Sequence, residues 1–350
     1  MPDLKYPYDF VPFSPDSPKK ASPPRHDTYS GMSGALSCSL KALTPLIVKG
    51  SDTGTGDRRT PYYPLENGRY TPIIPGTSLK GMVRSIFEVL TNSCVGLAAE
   101  GKRLVPSSHQ KCPNRGELCP ACRTFGYLKK GDEDVHRGLV NIGQATLQND
   151  ASTLSPLHLP ALYGPNVTIQ QGGRTVTNTR YYGSKNDPNG RKFYLHHKAF
   201  EDGFPHATQR RDYVQPLEEG AKFAFKVTFE NLSSRLLSAL VASLTLSDHA
   251  KTGSGREKVR HKLGYGKPAG LGSVNIEIEC AALEPSPDER YRRFDISPDE
   301  KTGSELAEWV AKKQKRFFNT SRPSMQALAR VLRWSPDREV DVTYDADPPA

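Results

Sequence analysis

The sequence predicts an α+β fold, a ferredoxin-like βαββαβ core with a large insertion, and three observations predict it. From 33 to 43, Leu36, Cys38, Leu40 and Ala42 alternate with Ala35, Ser37, Ser39 and Lys41, the period of a half-buried strand. After Pro75-Gly76-Thr77-Ser78, residues Leu79, Met82, Val83, Ile86, Phe87, Val89 and Leu90 share one broad face at helical spacing, with Thr77 or Ser78 able to cap the first free amides. The grammar returns near the other end: Phe223, Phe225, Val227 and Phe229 alternate, Leu236, Leu237, Leu240, Val241 and Leu244 follow at helical spacing, and Val274, Ile276, Ile278 and Cys280 alternate again. Two strand-helix units, each delivering a further strand to one antiparallel sheet, give the βαββαβ arrangement.

In chain order, 1–30 is a Pro-rich arm whose Tyr6, Tyr8, Phe10 and Phe13 give it apolar anchors, so it docks rather than waves. Residues 31–93 form the first half of the core, and 94–220 are the insertion, with a cysteine knuckle in 94–126. The second half of the core spans 221–283. From 284 to 350 a linker marked by Pro285, Pro287 and Pro298 precedes two short amphipathic helices, 306–318 and 325–334.

A chain of 350 residues is long enough for one elaborated domain or two modest ones with a real core. No apolar run approaches the roughly 18 to 20 residues that cross a bilayer, and prolines interrupt the N-terminus where a signal peptide would need an apolar run. The expected location is the reducing cytoplasm, where six cysteines read as thiols or metal ligands. The net charge of +10 points to a polyanionic partner. It is unevenly placed: 51–130 carry twelve basic against six acidic side chains and 251–270 six against one, whereas 284–350 are nearly neutral. A surplus beside glycine-rich loops suits a phosphate-tracking groove, the plain alternative being solvated surface charge.

Cys112, Cys119 and Cys122 lie within KCPNRGELCPACRTFG, and Cys94 closes the first helix. Cys119-Pro-Ala-Cys122 has the two-residue spacing that sets two thiolates at adjacent corners of a tetrahedron around zinc. Four such ligands make a closed shell with no vacancy for water, so the expected zinc is structural. His109 is an alternative to Cys94 or Cys112, and unligated thiols are the alternative to a metal site. Cys38 and Cys280, on strand patterns, read as core.

Two loops carry further chemistry. The run 262–273, KLGYGKPAGLGS, holds four glycines. It leads into a strand, so it is no dinucleotide fingerprint, and it lacks the Walker A spacing. Its glycines let backbone amides approach a sugar-phosphate chain while Lys262 and Lys267 supply charge; a tight turn with no ligand is the alternative. In 74–84 two hydroxyls and a helix N-terminus come together, with Lys80 and Arg84 one turn apart, which makes an anion site.

Thr44-Pro45-Leu46 with its Gly/Asp loop, PGTSLKGMVRS at 75–85, CPACRTFG at 119–126 and GYGKPAGLGSV at 264–274 together resemble the RAMP (repeat-associated mysterious protein) superfamily of type III CRISPR effector complexes, in its backbone-subunit branch. The resemblance runs from about 29 to 280. It implies an RRM-like core that holds guide RNA, captures complementary target RNA and assembles with further copies of itself and other effector subunits. The implied RNA contacts are Lys49, Arg58 and Arg59 after the first strand, Thr77, Ser78, Lys80 and Arg84 at the helix start, and Lys262, Tyr265 and Lys267 in the glycine-rich loop. A thumb hairpin is implied within 150–215, where YGPNVTIQQGGRTVTNTRYYGS and GRKFYLHH mix basic and aromatic residues. Tyr181 and Tyr182 would stack on bases there, or serve, like Phe193, as core aromatics. In several family members a loop aspartate helps a divalent ion cut the target through its 2′-hydroxyl; Asp57, beside Arg58 and Arg59, and then Asp52 are the positions for it here, with Mg²⁺ as the cofactor.

The rival enzyme reading is a stand-alone guide-processing ribonuclease of the same superfamily, needing no metal and using His196 or His197 as acid-base. Adjacent histidines on a strand point to opposite faces, so at most one would serve, and a solvated pair is the plainer reading. A subunit that binds RNA while a partner nuclease cuts, and a zinc-stabilised protein with no RNA role, are the remaining readings.

Overall fold

The computed structural model describes residues 7–48, 58–59, 65–66, 69–70, 72–95, 105–129, 134–155, 157–159, 168–177, 189–197, 212–252, 255–293 and 297–337. The elements used below are β1 (Tyr8–Val11), β2 (Met32–Ala42), α1 (Gly76–Leu90), α2 (Pro120–Phe125), β3 (Val140–Ile142), β4 (Ala145–Leu147), β5 (Arg191–Tyr194), β6 (Lys222–Leu232), α3 (Ser234–Thr245), β7 (Ser273–Leu283), α4 (Gly303–Phe318) and α5 (Pro323–Val331).

The alternating segments become the three long strands of one antiparallel sheet, ordered His261–Lys262, β7, β2, β6, β4, Ile73–Ile74, with β3 also on β6 and Asp299–Lys301 on β7. Register follows the apolar pattern: Leu40 lies opposite Phe223 and Ile276, and Cys38 opposite Phe225 and Ile278. One face of all three strands is thereby apolar, and Leu36, Leu40, Phe223, Val227 and Ile276 are fully buried. Helices α1 and α3 pack against one another, with α3 also on β7. Their buried stripes, Leu79, Val83, Phe87 and Leu90 on α1 and Leu237, Leu240, Val241 and Leu244 on α3, cover the apolar face. Fully burying one such leucine is worth about 1.5–3 kcal/mol, so the packed face rather than helix propensity fixes these elements.

The expected cap of α1 is corrected. Its N-cap is Pro75, with no side-chain cap, and the Pro75 carbonyl accepts from the amides of Ser78 and Leu79 at 2.9 and 3.3 Å. Proline suits this place because the residue before a helix needs extended backbone and no donor. Ser233 does cap α3, accepting from the Leu236 amide.

Strands β3 and β4 lie within 94–220 and pair with β6 through Val227↔Ile142 and Phe223↔Leu147. The intervening chain is therefore two segments, 91–139 and 148–221, separated by the short strands β3 and β4. Three-residue strands are too short for alternation to stand out in a sequence. Inside 150–215, Thr168–Gln171 and Arg174–Thr177 form a hairpin whose two-residue turn is Gly172-Gly173, with φ of 58° and 74°, the left-handed backbone that such turns require.

The N-terminal arm docks as expected. β1 pairs with β5, Val11 is fully buried, and Ala21 and Leu118 exchange backbone hydrogen bonds at 2.9 and 3.0 Å. Asn231 then anchors the end of the arm, its Oδ1 accepting from the amides of Ser30 and Gly31 at 2.9 and 2.7 Å. Both C-terminal helices form, α4 against α3 and α5 against β1. No described helix is long and apolar enough to cross a membrane.

Candidate nucleic-acid interface

A cleft of about 490 Å³ opens between the start of α1, the glycine-rich loop and β5. Thr77 and Ser78 line it from the helix, Lys262, Tyr265 and Lys267 from the loop, and Lys192 and Tyr194 from β5. No aspartate or glutamate lines it among the described residues. Three ammonium groups, the hydroxyls of Thr77, Ser78 and Ser85, and two phenol rings, without an acidic neighbour among the described residues, suit an anion that carries flat, stackable groups.

The loop is rigid for steric reasons. A Cβ on Gly272, at φ 75°, would fall 1.9 Å from the Leu263 carbonyl oxygen, and one on Gly264, at φ 84°, 2.1 Å from that of Ile47. Such contacts leave room for glycine alone. The loop is tied to the 44–47 segment: the Thr44 hydroxyl accepts from the Ser273 amide at 2.8 Å, Pro45 accepts from Gly272 at 2.9 Å and Ile47 from Tyr265 at 2.8 Å. Both lysines expected to offer charge also hold this loop together. Lys262 Nζ donates to the Gly270 and Leu271 carbonyls at 3.1 and 3.0 Å, and Lys267 Nζ to the Gly264 carbonyl at 2.8 Å. Burial lowers the Lys267 ammonium below the usual lysine range.

Arg84 and Lys80 stand apart from the cleft. Lys80 does not line it, and burial, with Arg84 nearby, lowers its ammonium. Arg84 turns inward: Nε donates to Glu88 Oε1 at 3.0 Å, Nη1 to the Gly126 carbonyl at 3.4 Å and Nη2 to Cys122 Sγ at 3.7 Å. The expected phosphate contact is thus a buried ion-pair member beside the cysteine cluster. On the other side of Glu88, Arg191 donates to Oε2 at 2.9 Å and to the Ser93 carbonyl.

Cys94, Cys112, Cys119 and Cys122 are all buried, their sulfurs within 4.8 Å of one another. Cys94 stands 3.5 Å from Cys122, 3.5 Å from Cys119 and 3.9 Å from Cys112. A tetrahedron with metal–sulfur bonds of about 2.3 Å has edges of about 3.8 Å, so the four sulfurs could hold a metal ion such as zinc. Pro120 opens α2 directly after Cys119, whose amide donates to Cys112 Sγ at 3.2 Å. Hydrogen bonds among the sulfurs push the Cys119 thiol below its ordinary range and the Cys122 and Cys94 thiols above it, so one sulfur ionises at its neighbours' expense. His109 is not a fifth candidate: Nε2 faces Asn92 Oδ1 at 2.8 Å and Nδ1 the Ser108 hydroxyl at 3.0 Å.

His196 and His197 are buried, not solvated. His196 spends Nδ1 on the Ser273 hydroxyl at 2.9 Å and Nε2 on the Arg260 carbonyl at 3.0 Å, and His197 Nε2 meets the Pro268 carbonyl at 2.9 Å. Burial holds His196 neutral, well below the usual imidazole range. Both brace the glycine-rich loop from beneath.

Arg58 and Arg59 form a short strand parallel to Asp212–Val214, through Arg58↔Tyr213 and Arg59↔Val214. Lys49, Asp52, Asp57, Tyr181 and Tyr182 lie outside the described residues. Sequence reasoning set 190–197 in the thumb for its basic and aromatic mixture, whereas 191–194 pair with β1 and form a wall of the cleft. Glu88 had only its i,i+4 spacing from Arg84 as a signal, and Arg191, Lys192 and Tyr194 only the basic and aromatic mixture of 190–197, which does not place them in the cleft.

No curated protein matches the chain significantly. Among solved structures, the crystal structure of Thermofilum pendens Csc2 aligns with a TM-score of 0.36 at 16% identity, covering 86% of this chain and 82% of that one. The RAMP superfamily model matches residues 39–275, which take in the end of β2, the cysteine cluster and the glycine-rich loop. On that match, over more than half of its length, the chain belongs to the RAMP superfamily.

Proposed function

We propose that this chain is a guide-RNA-binding backbone subunit of a multisubunit CRISPR RNA-guided effector complex that captures complementary target RNA. The observation that carries the reading is the cleft itself, where Thr77, Ser78, Lys192, Lys262, Lys267, Tyr194 and Tyr265 converge without an acidic residue among those described, on a RAMP-family chain. The sheet supports a ferredoxin-like core: with β3 and β4 taken as one strand, the order is fourth, first, third, second, and the two helices follow the first and third strands. The Gly172-Gly173 hairpin is the candidate thumb, and structural zinc the candidate occupant of the four sulfurs.

Target cleavage, as the resemblance implies, would fall to Asp57 or Asp52 in the loop after β2. The guide-processing alternative needs an accessible acid-base histidine, and both expected ones are buried and hydrogen-bonded. The test is to purify the chain from cells and sequence its RNA. Guide-repeat sequences of uniform length are expected, and recovery free of RNA would overturn the proposal. With the assembled complex, persistence of target cleavage in Asp57→Ala and Asp52→Ala would assign cutting to another subunit.

A further inference from the structure

Lys192 occupies an unusual place in this cleft. Its ammonium lies 3.9 Å from the ring centroid of Tyr8, on β1, and 5.1 Å from that of Tyr194, two residues along its own strand. Lys267 Nζ approaches the same Tyr194 ring at 5.7 Å. Among the described residues Lys192 takes part in no ion pair, and no carboxylate lines the cleft. A half-buried charge without a counter-charge loses part of its hydration, and aromatic faces repay only part of that cost. Lys262 and Lys267 spend donors on loop carbonyls, whereas the contacts of Lys192 among the described residues are with ring faces.

The partner of Lys192 is built by the N-terminal arm. Tyr8 is delivered by the register of β1 on β5, Tyr8↔Tyr194 and Phe10↔Lys192, and its ring meets Tyr194 edge-on at 6.4 Å. The arm precedes the family match, which begins at residue 39. We infer that Lys192, held between Tyr8 and Tyr194, is a phosphate-binding residue of the RNA groove, and that the N-terminal arm is a fixed part of that interface. The inference rests on the RNA-binding reading above. A phosphate entering the cleft supplies the missing counter-charge, and the two rings hold the ammonium where it can donate to that phosphate.

The charge state supports the geometry. Burial alone brings the Lys192 ammonium down to about 8, and a bound phosphate would restore it toward its ordinary range. Between those limits the bound state holds a proton that the free protein lacks, so affinity falls as pH rises above about 8. Among the described residues the titratable groups around Lys192 are Tyr8 from β1, Tyr194 on its own strand, Lys267, Lys262 and Tyr265 from the glycine-rich loop, and His261, which burial lowers to about 4. Because tyrosines and lysines also titrate at high pH, comparison with Lys192→Arg isolates the one group, arginine being charged throughout.

The test uses the full chain and a fluorescein-labelled oligouridylate, with anisotropy read across pH and salt. Lys192→Met is expected to weaken binding about tenfold at neutral pH and to reduce the log–log salt slope by about one. It should leave the melting temperature of the free protein unchanged or raised, since an apolar chain of similar length replaces an unpaired charge. Lys192→Arg should keep tight binding at the alkaline end, where the wild type loses it. If wild type and Lys192→Met bind RNA equally while Lys267→Met does not, the groove stands and the role of Lys192 is overturned. If the wild type binds no RNA, the RNA-binding reading falls and this inference with it. A fall in melting temperature matching the loss of affinity would make Lys192 a packing residue.

Discussion

Glu88 has a carboxylate only 8% exposed, with Arg84 at 3.0 Å on one side and Arg191 at 2.9 Å on the other. Groups taken out of water to this degree are held by one another, and removing one leaves its partners charged, buried and unpaired. Glu88→Ala strands two guanidiniums against one another, so unfolding free energy should fall by about 3 kcal/mol in a urea titration followed by circular dichroism. A loss below about 1 kcal/mol would show that the cysteine cluster neutralises the arginines without Glu88. This residue also marks what a sequence conceals. Arg84 was legible as a cation one turn into a helix beside an anion site. Its direction was only half legible: Glu88 is one turn along the same helix, but Cys122 and Gly126 meet Arg84 only after α2 folds back, and Arg191 reaches Glu88 from a hundred residues further along. Similarly, Lys262 and Lys267 were legible as charges, but a sequence cannot show that each spends donors on carbonyls of its own loop.

At the scale of elements, what was readable is what repeats. β2, β6 and β7 alternate over eleven residues each, and α1 and α3 carry buried stripes of several turns, so their periods rise above local noise. β3 and β4, three residues each, do not, and their pairing with β6 is decided by tertiary contact. The cysteine knuckle was readable for a different reason, since ligand spacing is a local geometric demand. Its packing shows what a metal there would hold together. Cys94 follows α1, Cys119 and Cys122 flank the start of α2, and the Ser93 hydroxyl accepts from the Ala121 amide at 3.0 Å. With zinc bound, these contacts become one crosslinked unit, whereas without it four sulfurs crowd within van der Waals range. Elemental analysis should therefore find about one zinc per chain. Dialysis against a strong chelator should lower the melting temperature and open the four thiols to a colorimetric thiol reagent. Unchanged melting and unreactive thiols after metal-free dialysis would remove the metal from the account.

At the scale of the whole molecule, the arm decides how separate parts become one body. Val11 enters the core, and the Phe13 ring lies 5.0 Å from that of His109 and 5.3 Å from the Arg191 guanidinium. Asp16 accepts through its carbonyl from Asn92 at 2.8 Å, Ala21 bridges to Leu118, and His26 stacks on His136 at 5.6 Å. These contacts run in chain order from the cleft wall, across the cysteine segment, to the end of the sheet near Asn231, so the arm adds a second tie between two segments that also meet at α1 through Glu88 and Ser93. Proline suits such a strap because its fixed φ leaves less backbone entropy to lose on docking. Truncating residues 1–24 removes the burial of Val11, worth about 1.5–3 kcal/mol, together with the ring contacts over Arg191 and His109. The expected result is a chain that keeps its sheet by circular dichroism but melts lower, and whose 91–139 segment is cut first in limited proteolysis. If instead the truncated chain melts at the full-length temperature and resists protease there, the strap adds nothing to the fold. The arm's value would then lie wholly in placing Tyr8 over Lys192.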